Sequence, residues 1–343
     1  MAETNTRVVL ASRPKGAPVP VNFRLETLAV PDPGPGEVLV RNLHLSLDPY
    51  MRGRMDDGPS YAAPVALGDV MQGRTVAQVL QSQRADLRPG DLVVAPGGWQ
   101  THAVLPAQTP VRPLDRNGPP LITALGVYGM PGFTAYAGLL EIGRPQPGET
   151  LVVAAASGPV GATVGQIAKL RGARTVGIAG GPDKCRYLRQ IGFDVALDHR
   201  APDFASALEA AVPGGIDIYF ENVGGKVFDA VLPLLNDFAR IPVCGTIASY
   251  NARGQAGAGP DRVPLLLSQI LRQRLTVRGF IQTDLQHLFP QFLDDMGAWL
   301  QAGVIQHRED VVDGLDHAVE AFIGLLEGRN FGKLVIRLDP DAP

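Results

Sequence analysis

Between residues 126 and 305, short apolar segments alternate with segments of helical periodicity. Strands are predicted at 150–156, 174–179, 195–198, 216–222, 239–245 and 275–280, and helices at 160–171, 183–191, 203–212, 225–235 and 263–273. Nearly continuous apolar strands separated by helices are typical of a parallel sheet that helices cover on both faces. This part of the chain is therefore predicted to form a doubly wound α/β domain.

The residues on either side of that segment follow a different pattern. Up to residue 125 the chain consists of short strand-like segments separated by proline and glycine turns, which favours a small barrel or sandwich. After the α/β segment, a helical stretch leads into a last apolar strand at 332–338. This strand needs a pairing partner, and the first domain can provide one. We therefore expect a discontinuous domain of residues 1–125 and 306–343 beside an α/β domain of residues 126–305.

The first apolar strand of the α/β segment runs into the turn AASGPVG (155–161), which opens the first helix. Such a turn lets the backbone approach a pyrophosphate at Gly158, and it lets the helix pack closely on the strand at Gly161. The helix N-terminus adds free N–H groups, and Pro159 lacks only a donor that is dispensable there. We expect a dinucleotide phosphate site at Ser157, Gly158, Pro159, Val160 and Gly161. An ordinary glycine-rich connection is the alternative, and the repeated strand–helix alternation disfavours it.

The end of the second strand predicts which dinucleotide binds. Proteins that prefer NAD usually carry an acidic residue there, which accepts hydrogen bonds from the ribose. This chain has Gly180 and Gly181 instead, with Lys184 and Arg186 just beyond. A missing carboxylate and a nearby cation favour a 2′-phosphate, so NADPH is the predicted cofactor. The alternative is that Lys184 and Arg186 are solvated surface charges.

Composition excludes several other classes of protein. The net charge of -3 gives no electrostatic reason to expect binding to nucleic acid or to an anionic membrane. No apolar run approaches the roughly 20 residues that span a bilayer, and residues 1–16 lack the apolar core of a secretory signal. The 2 cysteines, Cys185 and Cys244, cannot form a four-thiolate zinc site. They could form one bridge if the fold brought them together, but two free, buried thiols are the expectation for a cytoplasmic protein.

Stretches in order along nearly the whole chain resemble one family: SLDPYMRGRM (46–55), YGMPGFTAYAGLLEIG (128–143), AASGPVG (155–161), AGGPDKCRYL (179–188), FENVGG (220–225), VCGTIASYN (243–251) and RNFGKLVIRL (329–338). They are similar to the zinc-independent medium-chain dehydrogenase/reductases of the leukotriene B4 dehydrogenase, prostaglandin reductase and curcumin reductase group. The resemblance implies a GroES-like β-barrel domain plus a Rossmann domain. It also implies metal-free, NADPH-dependent reduction of the C=C bond of small α,β-unsaturated ketones and aldehydes, commonly by a homodimer.

The same resemblance implies roles for individual residues. Tyr250 and Tyr50 are expected to line the substrate cleft as catalytic hydrogen-bond donors, although each could instead be a packed aromatic residue. The cofactor's ribose hydroxyl or a water is an alternative proton source. Further cofactor contacts are expected at Gly180, Lys184, Asn222, Cys244, Gly245, Ile247, Tyr250, Phe280, Ile281, Gln282 and Asn330. Asn222 could instead cap the next helix, and Phe280 could simply pack. Arg52 and Arg54 could attract an acidic substrate tail, but surface or interdomain ion pairs are the favoured interpretation.

The chain departs from the family pattern at the end of the third strand. The family usually has a tyrosine there that contacts the 2′-phosphate, whereas this chain has His199 followed by Arg200. We expect His199 to replace that contact, with an affinity that falls as the pH rises through the histidine pKa. Residues 251–262 are interpreted as a rim of the substrate cleft. NADPH quinone reduction and NADPH binding without catalysis remain alternative functions, and the physiological substrate is left open.

Overall fold

The computed structural model of the chain describes residues 4–252 and 261–340. It divides into one compact unit of Met1–Gly126 with Glu309–Pro343 and a second unit of Val127–Arg308. The N-terminal segment of the first unit contains the strands β1 (Thr4–Leu10), β2 (Phe23–Ala29), β3 (Val38–Ser46), β4 (Thr75–Ser82), β5 (Leu92–Ala95), β6 (His102–Leu105) and β7 (Arg112–Pro113). Its 3-10 helices are Pro20–Asn22, Pro49–Met55 and Leu121–Leu125.

The second unit is built on one parallel sheet. Its strands are β8 (Thr150–Val153), β9 (Arg174–Ala179), β10 (Val195–Asp198), β11 (Ile216–Phe220), β12 (Leu235–Val243) and β13 (Thr276–Gly279). Its α-helices are α1 (Met130–Ala137), α2 (Pro159–Leu170), α3 (Pro182–Gln190), α4 (Phe204–Ala211), α5 (Gly225–Val231), α6 (Val263–Gln273) and α7 (Phe289–Gln301). A π-helix at Gly138–Gly143 and 3-10 helices at Leu232–Leu234, Ile247–Ala252 and Gln282–Leu288 complete it.

The order of the strands confirms the predicted doubly wound fold. The 6 strands run parallel in the order β10-β9-β8-β11-β12-β13, which is the Rossmann arrangement. Side chains alternate across the sheet, so Leu151 and Val153 join a core on one face while Val152 joins a second core on the other. Two buried faces explain why the central strands β8 and β11 are apolar at almost every position.

The closing segment of the chain returns to the first unit. It contains β14 (Glu309–Asp313), a 3-10 helix at Leu315–His317, α8 (Ala318–Leu326) and β15 (Lys333–Arg337). β15 pairs antiparallel with β3 and parallel with β14, in a 7-stranded sheet that otherwise holds β4 to β7. Trp99 is fully buried, and its ring lies 5.9 Å from that of Phe23 and 5.4 Å from that of Phe322 in α8. Residues from both ends of the chain therefore share one core.

Some predicted element boundaries are wrong for local reasons. The helix predicted at 225–235 ends at Val231, because Pro233 lacks the N–H that the next helical turn requires. As a result β12 begins at Leu235, earlier than the predicted strand at 239–245. The strand predicted at 150–156 stops at Val153, and Ala155 has a left-handed φ of 50°. The helix predicted at 263–273 is confirmed at both ends.

Candidate cofactor and substrate site

The turn after β8 lies where the strand order of the parallel sheet reverses. β8 and β11 are neighbours here, and the remaining strands extend away on either side of them. The side-chain amide of Asn222, just beyond β11, donates a hydrogen bond to the carbonyl oxygen of Ala154, just beyond β8, at 2.8 Å. Asn222 thus ties the two strand ends together. Ligands of open α/β sheets bind in the crevice at this kind of reversal.

The glycine turn has the geometry that a pyrophosphate needs. Gly158 is the N-cap of α2 and Pro159 is its first residue, so the following backbone N–H groups lie at the positive end of the helix dipole. A Cβ atom on Gly161 would lie 2.6 Å from the carbonyl oxygen of Ala155 and 2.7 Å from the Cα of Ala156. Only glycine allows this close approach of helix and turn, as the sequence predicted. Ser157 is buried beside them, and Val160 is partly buried.

Two basic side chains occupy the space beside Gly180. A Cβ atom there would lie 2.9 Å from the Nε of Arg200 and 3.0 Å from the Nε2 of His199. Any side chain at this position, an acidic one included, would push these groups away. Lys184, on the first turns of α3, is close enough to act electrostatically on His199. The bare glycine therefore opens a corner lined by Lys184, His199 and Arg200, which fits a 2′-phosphate.

The protonation states in this corner follow from burial and neighbouring charge. Burial lowers the pKa of His199 below its usual value, and the positive charges of Arg200 and Lys184 lower it further. His199 is therefore neutral at neutral pH, and it offers a hydrogen bond more than a charge. Asp198 is the opposing carboxylate; burial raises its pKa, but hydrogen bonds from the backbone amides of Gly181 and Arg200, both 2.9 Å, outweigh this and lower it.

Glu221 organises the loop after β11, and this role was not predicted from the sequence. Its buried carboxylate accepts hydrogen bonds from the backbone amides of Val223 at 2.6 Å and Gly224 at 2.8 Å. Its backbone oxygen accepts hydrogen bonds from the amides of Cys244 and Gly245. Burial raises the pKa of the Glu221 carboxyl. A carboxylate in an apolar stretch followed by two glycines is the signal that could have identified it.

The loop after β12 brings several predicted cofactor residues together. Cys244 and Gly245 bond to Glu221, and the amide of Ile247 donates to the carbonyl oxygen of Asn222 at 3.3 Å. The Tyr250 hydroxyl lies over Gly245, at 2.9 Å from where a Cβ atom would stand. Burial and the charge of Glu221 raise the pKa of the Cys244 thiol to about 12, so the thiol stays protonated.

Phe280, Ile281 and Asn330 have local partners in the structure. The Phe280 ring packs over Gly138, where a Cβ atom would collide with it at 2.3 Å, and edge-on against Phe220 at 6.3 Å. The packing role considered for Phe280 is therefore real. The amide of Ile281 donates to Asp284, beside Gln282 at the start of its 3-10 helix. The Asn330 side chain donates to the carbonyl oxygen of Gly332 at 2.9 Å, in the turn before β15.

Tyr50 lies in the 3-10 helix Pro49–Met55 of the first unit, next to a buried ion pair. The Nζ of Lys333 is 2.7 Å from both the Asp48 carboxylate and the carbonyl oxygen of Leu47, and both side chains are buried. The pair joins the start of this 3-10 helix to the first residue of β15. Burial and the charge of Asp48 raise the pKa of Tyr50, so its phenol is a donor at any physiological pH.

The two arginines after Tyr50 differ from each other. Arg52 is 1% exposed, pairs with Asp56 at 2.7 Å and donates to the carbonyl oxygen of Gly16 at 2.9 Å. Arg52 therefore forms an ion pair, as the favoured interpretation expected, but its side chain is buried, so the surface location is wrong. Arg54 instead lies against the rings of Tyr50 and Tyr61, with its guanidinium carbon 5.8 Å and 4.7 Å from their centroids.

Four further expectations concern the cleft rim, the cysteines, metal binding and membrane spans. Most of the predicted cleft rim falls on residues 253–260, which lie outside the described residues. Both cysteines are free thiols; Cys185 is buried as expected, but Cys244 is only partly so. Within residues 4–252 and 261–340, no cluster of three or more His, Cys, Asp and Glu side chains could hold a metal ion. Among the helices of these ranges, none combines the length and the hydropathy that a bilayer-spanning segment requires.

Comparison with known proteins places the chain in a family. A model described as the N-terminal domain of oxidoreductase matches residues 6–112, and one described as zinc-binding dehydrogenase matches residues 159–298. The chain is 57% identical over 341 residues to the NADPH-dependent curcumin reductase of Escherichia coli (strain K12), covering 99% of this chain and 98% of that protein. It is 41% identical over 347 residues to the 2-alkenal reductase (NADP(+)-dependent) of Nicotiana tabacum, covering 98% of each.

A solved structure agrees with these relatives. The crystal structure of CurA in complex with NADPH from Vibrio vulnificus matches with a TM-score of 0.93 at 52% identity, covering 97% of this chain and 99% of that one. Fold and turn geometry together define a medium-chain dehydrogenase/reductase, with a GroES-like domain and a Rossmann domain. More particularly, the chain belongs to the zinc-independent members of that family that include the curcumin, alkenal and prostaglandin reductases.

Proposed function

We propose that the protein catalyses the NADPH-dependent reduction of the C=C bond of α,β-unsaturated ketones and aldehydes. The observation that carries this proposal is the basic corner at Gly180, which suits the phosphate that distinguishes NADPH from NADH. The relatives named curcumin reductase and 2-alkenal reductase support the choice of an enone or enal as substrate. The glycine turn at 157–161 holds the pyrophosphate. The other proposed cofactor contacts are Gly180, Lys184, His199, Asn222, Cys244, Gly245, Ile247, Tyr250, Phe280, Ile281, Gln282 and Asn330.

Bound NADPH supplies a hydride, which adds to the β-carbon of the enone and leaves negative charge on the carbonyl oxygen as an enolate. The protein's task is to stabilise that charge and to help deliver a proton to the α-carbon. We assign the hydrogen bond to the enolate oxygen to Tyr250, because its phenol lies over Gly245 in the loop that begins beside Glu221. Tyr50 is the second proposed donor, since its raised pKa keeps the phenol protonated.

Steady-state kinetics tests the proposal. Oxidation of NADPH is followed with trans-4-phenyl-3-buten-2-one, and the product is identified by mass spectrometry. We expect the saturated ketone, at a rate far above that with NADH. Menadione, a quinone, is the matched comparison substrate. Turnover of menadione without turnover of any enone would assign the protein to quinone reduction instead, and tight NADPH binding without any turnover would make it a binding protein.

We further propose that two copies associate along β13. This strand forms one edge of the parallel sheet, with no second neighbour among the described strands, and all of Thr276–Gly279 is exposed. The adjacent helix α6 exposes Leu265, Leu267 and Leu271. An exposed strand edge beside exposed apolar residues is a template for pairing with another chain. Light scattering should give twice the 36.4 kDa mass of one chain.

We place the protein in the cytoplasm, which suits its free thiols.

A further inference from the structure

The guanidinium of Arg54 has an unusual environment for an arginine. Its Nε and Nη1 atoms are buried, yet they have no hydrogen-bond partner among the residues that the structure describes. Burial of a donor without an acceptor is unfavourable, and unmatched donors of this kind are rare in folded proteins. An arginine in this state is ready to bind an acceptor that comes from outside the chain.

The neighbouring carboxylates do not serve as that acceptor. The Oδ1 of Asp56 pairs with Arg52 at 2.7 Å, although the buried Oδ2 has no hydrogen-bond partner among the described residues, and Asp57 lies 3.7 Å from Arg13. The other nearby carboxylate, Asp48, is neutralised by Lys333. The charges left over beside Tyr50 are therefore positive.

A second cation strengthens this positive field. Arg74 is exposed in the loop immediately before β4, and it acts electrostatically on Tyr50, as Arg54 does. Two cations beside one phenol, with the nearby carboxylates engaged elsewhere, create a potential that attracts an anion.

Aromatic rings hold Arg54 in place. Tyr61 lies over the guanidinium carbon at 4.7 Å, and Tyr50 lies at 5.8 Å on the same 3-10 helix as Arg54. The backbone oxygen of Arg54 accepts a hydrogen bond from the amide of Val65 at 2.8 Å, which anchors the end of the segment that carries Tyr61. Tyr61 is 58% exposed, so its ring can shift for a ligand with little loss of buried surface. Stacking leaves the edge of a planar guanidinium free for paired hydrogen bonds.

We propose that Arg54 and Tyr61 form a subsite for a carboxylate carried by the substrate, next to the reacting enone at Tyr50. This inference rests on the proposed function, because it takes Tyr50 to face the substrate. Arg54 binds the carboxylate through one of its unpartnered N–H groups together with an Nη2–H group on the same edge of the guanidinium, and Tyr61 covers the ion pair. Arg54 is thus a specificity-determining residue that selects acidic enones over their neutral esters.

The test compares 4-(3-oxobut-1-enyl)benzoate with its methyl ester as substrates in the presence of NADPH. The two compounds share the enone and differ in the charge at the far end. Charge-assisted hydrogen bonds of this kind correspond to about 10- to 100-fold in kcat/KM. We expect Arg54→Met to lower kcat/KM for the acid by that factor and to change the ester by less than about threefold. Arg54→Lys, which keeps the charge but loses the paired geometry, should fall between.

Arg116→Met is the matched control. Arg116 is an exposed arginine of the same unit that donates to the carbonyl oxygen of Gly90 at 2.8 Å, and its loss should leave both substrates unchanged. The inference is overturned if Arg54→Met lowers kcat/KM equally for the acid and the ester, or lowers it for neither. It is also overturned if the wild type prefers the ester.

If the wild type reduces neither compound, the proposed function fails, and titration calorimetry decides the inference separately. The saturated acid and its ester are then the ligands for the NADPH-loaded protein. Tighter binding of the acid that Arg54→Met abolishes supports the subsite, and equal binding of acid and ester contradicts it. Circular dichroism melting confirms that each variant is folded.

Discussion

Replacing Gly180 by aspartate should weaken the preference of the protein for NADPH over NADH. The new Cβ atom would stand 2.9 Å from the Nε of Arg200 and 3.0 Å from the Nε2 of His199, so the carboxylate would enter the basic corner itself. At a separation of about 4.5 Å and an effective dielectric constant of about 20, two unit charges repel by about 3.7 kcal/mol. Allowing for screening by salt, we take about 3 kcal/mol, which is about a 150-fold rise in the Kd for NADPH.

NADH should respond differently, because it lacks the phosphate. The new carboxylate can accept hydrogen bonds from the ribose hydroxyls, so the Kd for NADH should stay within about threefold of the wild type or fall. Titration of each reduced cofactor, followed by quenching of the protein's tryptophan fluorescence, measures both constants.

Gly180→Asn is the matched control for this experiment. Asparagine has nearly the same shape as aspartate and displaces Arg200 and His199 equally, but it carries no charge. We expect it to raise the Kd for NADPH by less than about tenfold. If Gly180→Asp leaves the ratio of the two Kd values at its wild-type level, the corner does not hold the phosphate and the reasoning is refuted. Equal effects of Asn and Asp would mean that shape, and not charge, sets the preference.

Three further substitutions test other parts of the site. His199→Gln should weaken NADPH binding most at acidic pH, because the lowered pKa of His199 means that the imidazole is protonated, and attracts the phosphate as a cation, only below neutral pH. The ratio of the variant Kd to the wild-type Kd should therefore decrease as the pH is raised from 5.5 to 8. A ratio that stays constant over this range would contradict the prediction. Tyr250→Phe should lower kcat by about 10- to 100-fold while the NADPH Kd changes less than twofold, and an unchanged kcat would point to the ribose hydroxyl or a water as the donor. Lys333→Met should lower the free energy of unfolding in urea by about 3–5 kcal/mol, because it leaves the Asp48 carboxylate buried without its partner. The double variant Lys333→Met with Asp48→Asn should recover much of that loss. Equal losses in the single and double variants would rule out the ion pair as the cause.

Much of the α/β unit could be predicted from the sequence, since its signals are local. A parallel sheet buried on both faces requires apolar strands at regular intervals, and the pattern between residues 126 and 305 shows them directly. The turn at 155–161 could also be predicted from the sequence. A side chain at Gly161 would collide with the backbone of Ala155 and Ala156, which lie in the same turn, so the requirement for glycine is local. Boundaries were less secure where a proline such as Pro233 changes the local hydrogen bonding.

The contacts that were not predicted join residues far apart in the chain. Lys333 and Asp48 are separated by 285 positions, and nothing near either residue reveals the pairing. The same holds for the arginines after Tyr50. Only the fold shows that Arg52 pairs with Asp56, whereas two buried nitrogen atoms of Arg54 have no hydrogen-bond partner among the described residues. The packing of Arg200 against Gly180 likewise depends on β9 and β10 lying side by side.

The most direct test of the account follows the hydride. The protein is incubated with NADPH that carries deuterium at C4 of the nicotinamide and with trans-4-phenyl-3-buten-2-one, and the deuterium in the product is located by mass spectrometry and NMR. We expect the saturated ketone with a single deuterium on the β-carbon. Deuterium on the former carbonyl carbon of an allylic alcohol would contradict the account, because the hydride would then have reduced the C=O bond and left the C=C bond intact.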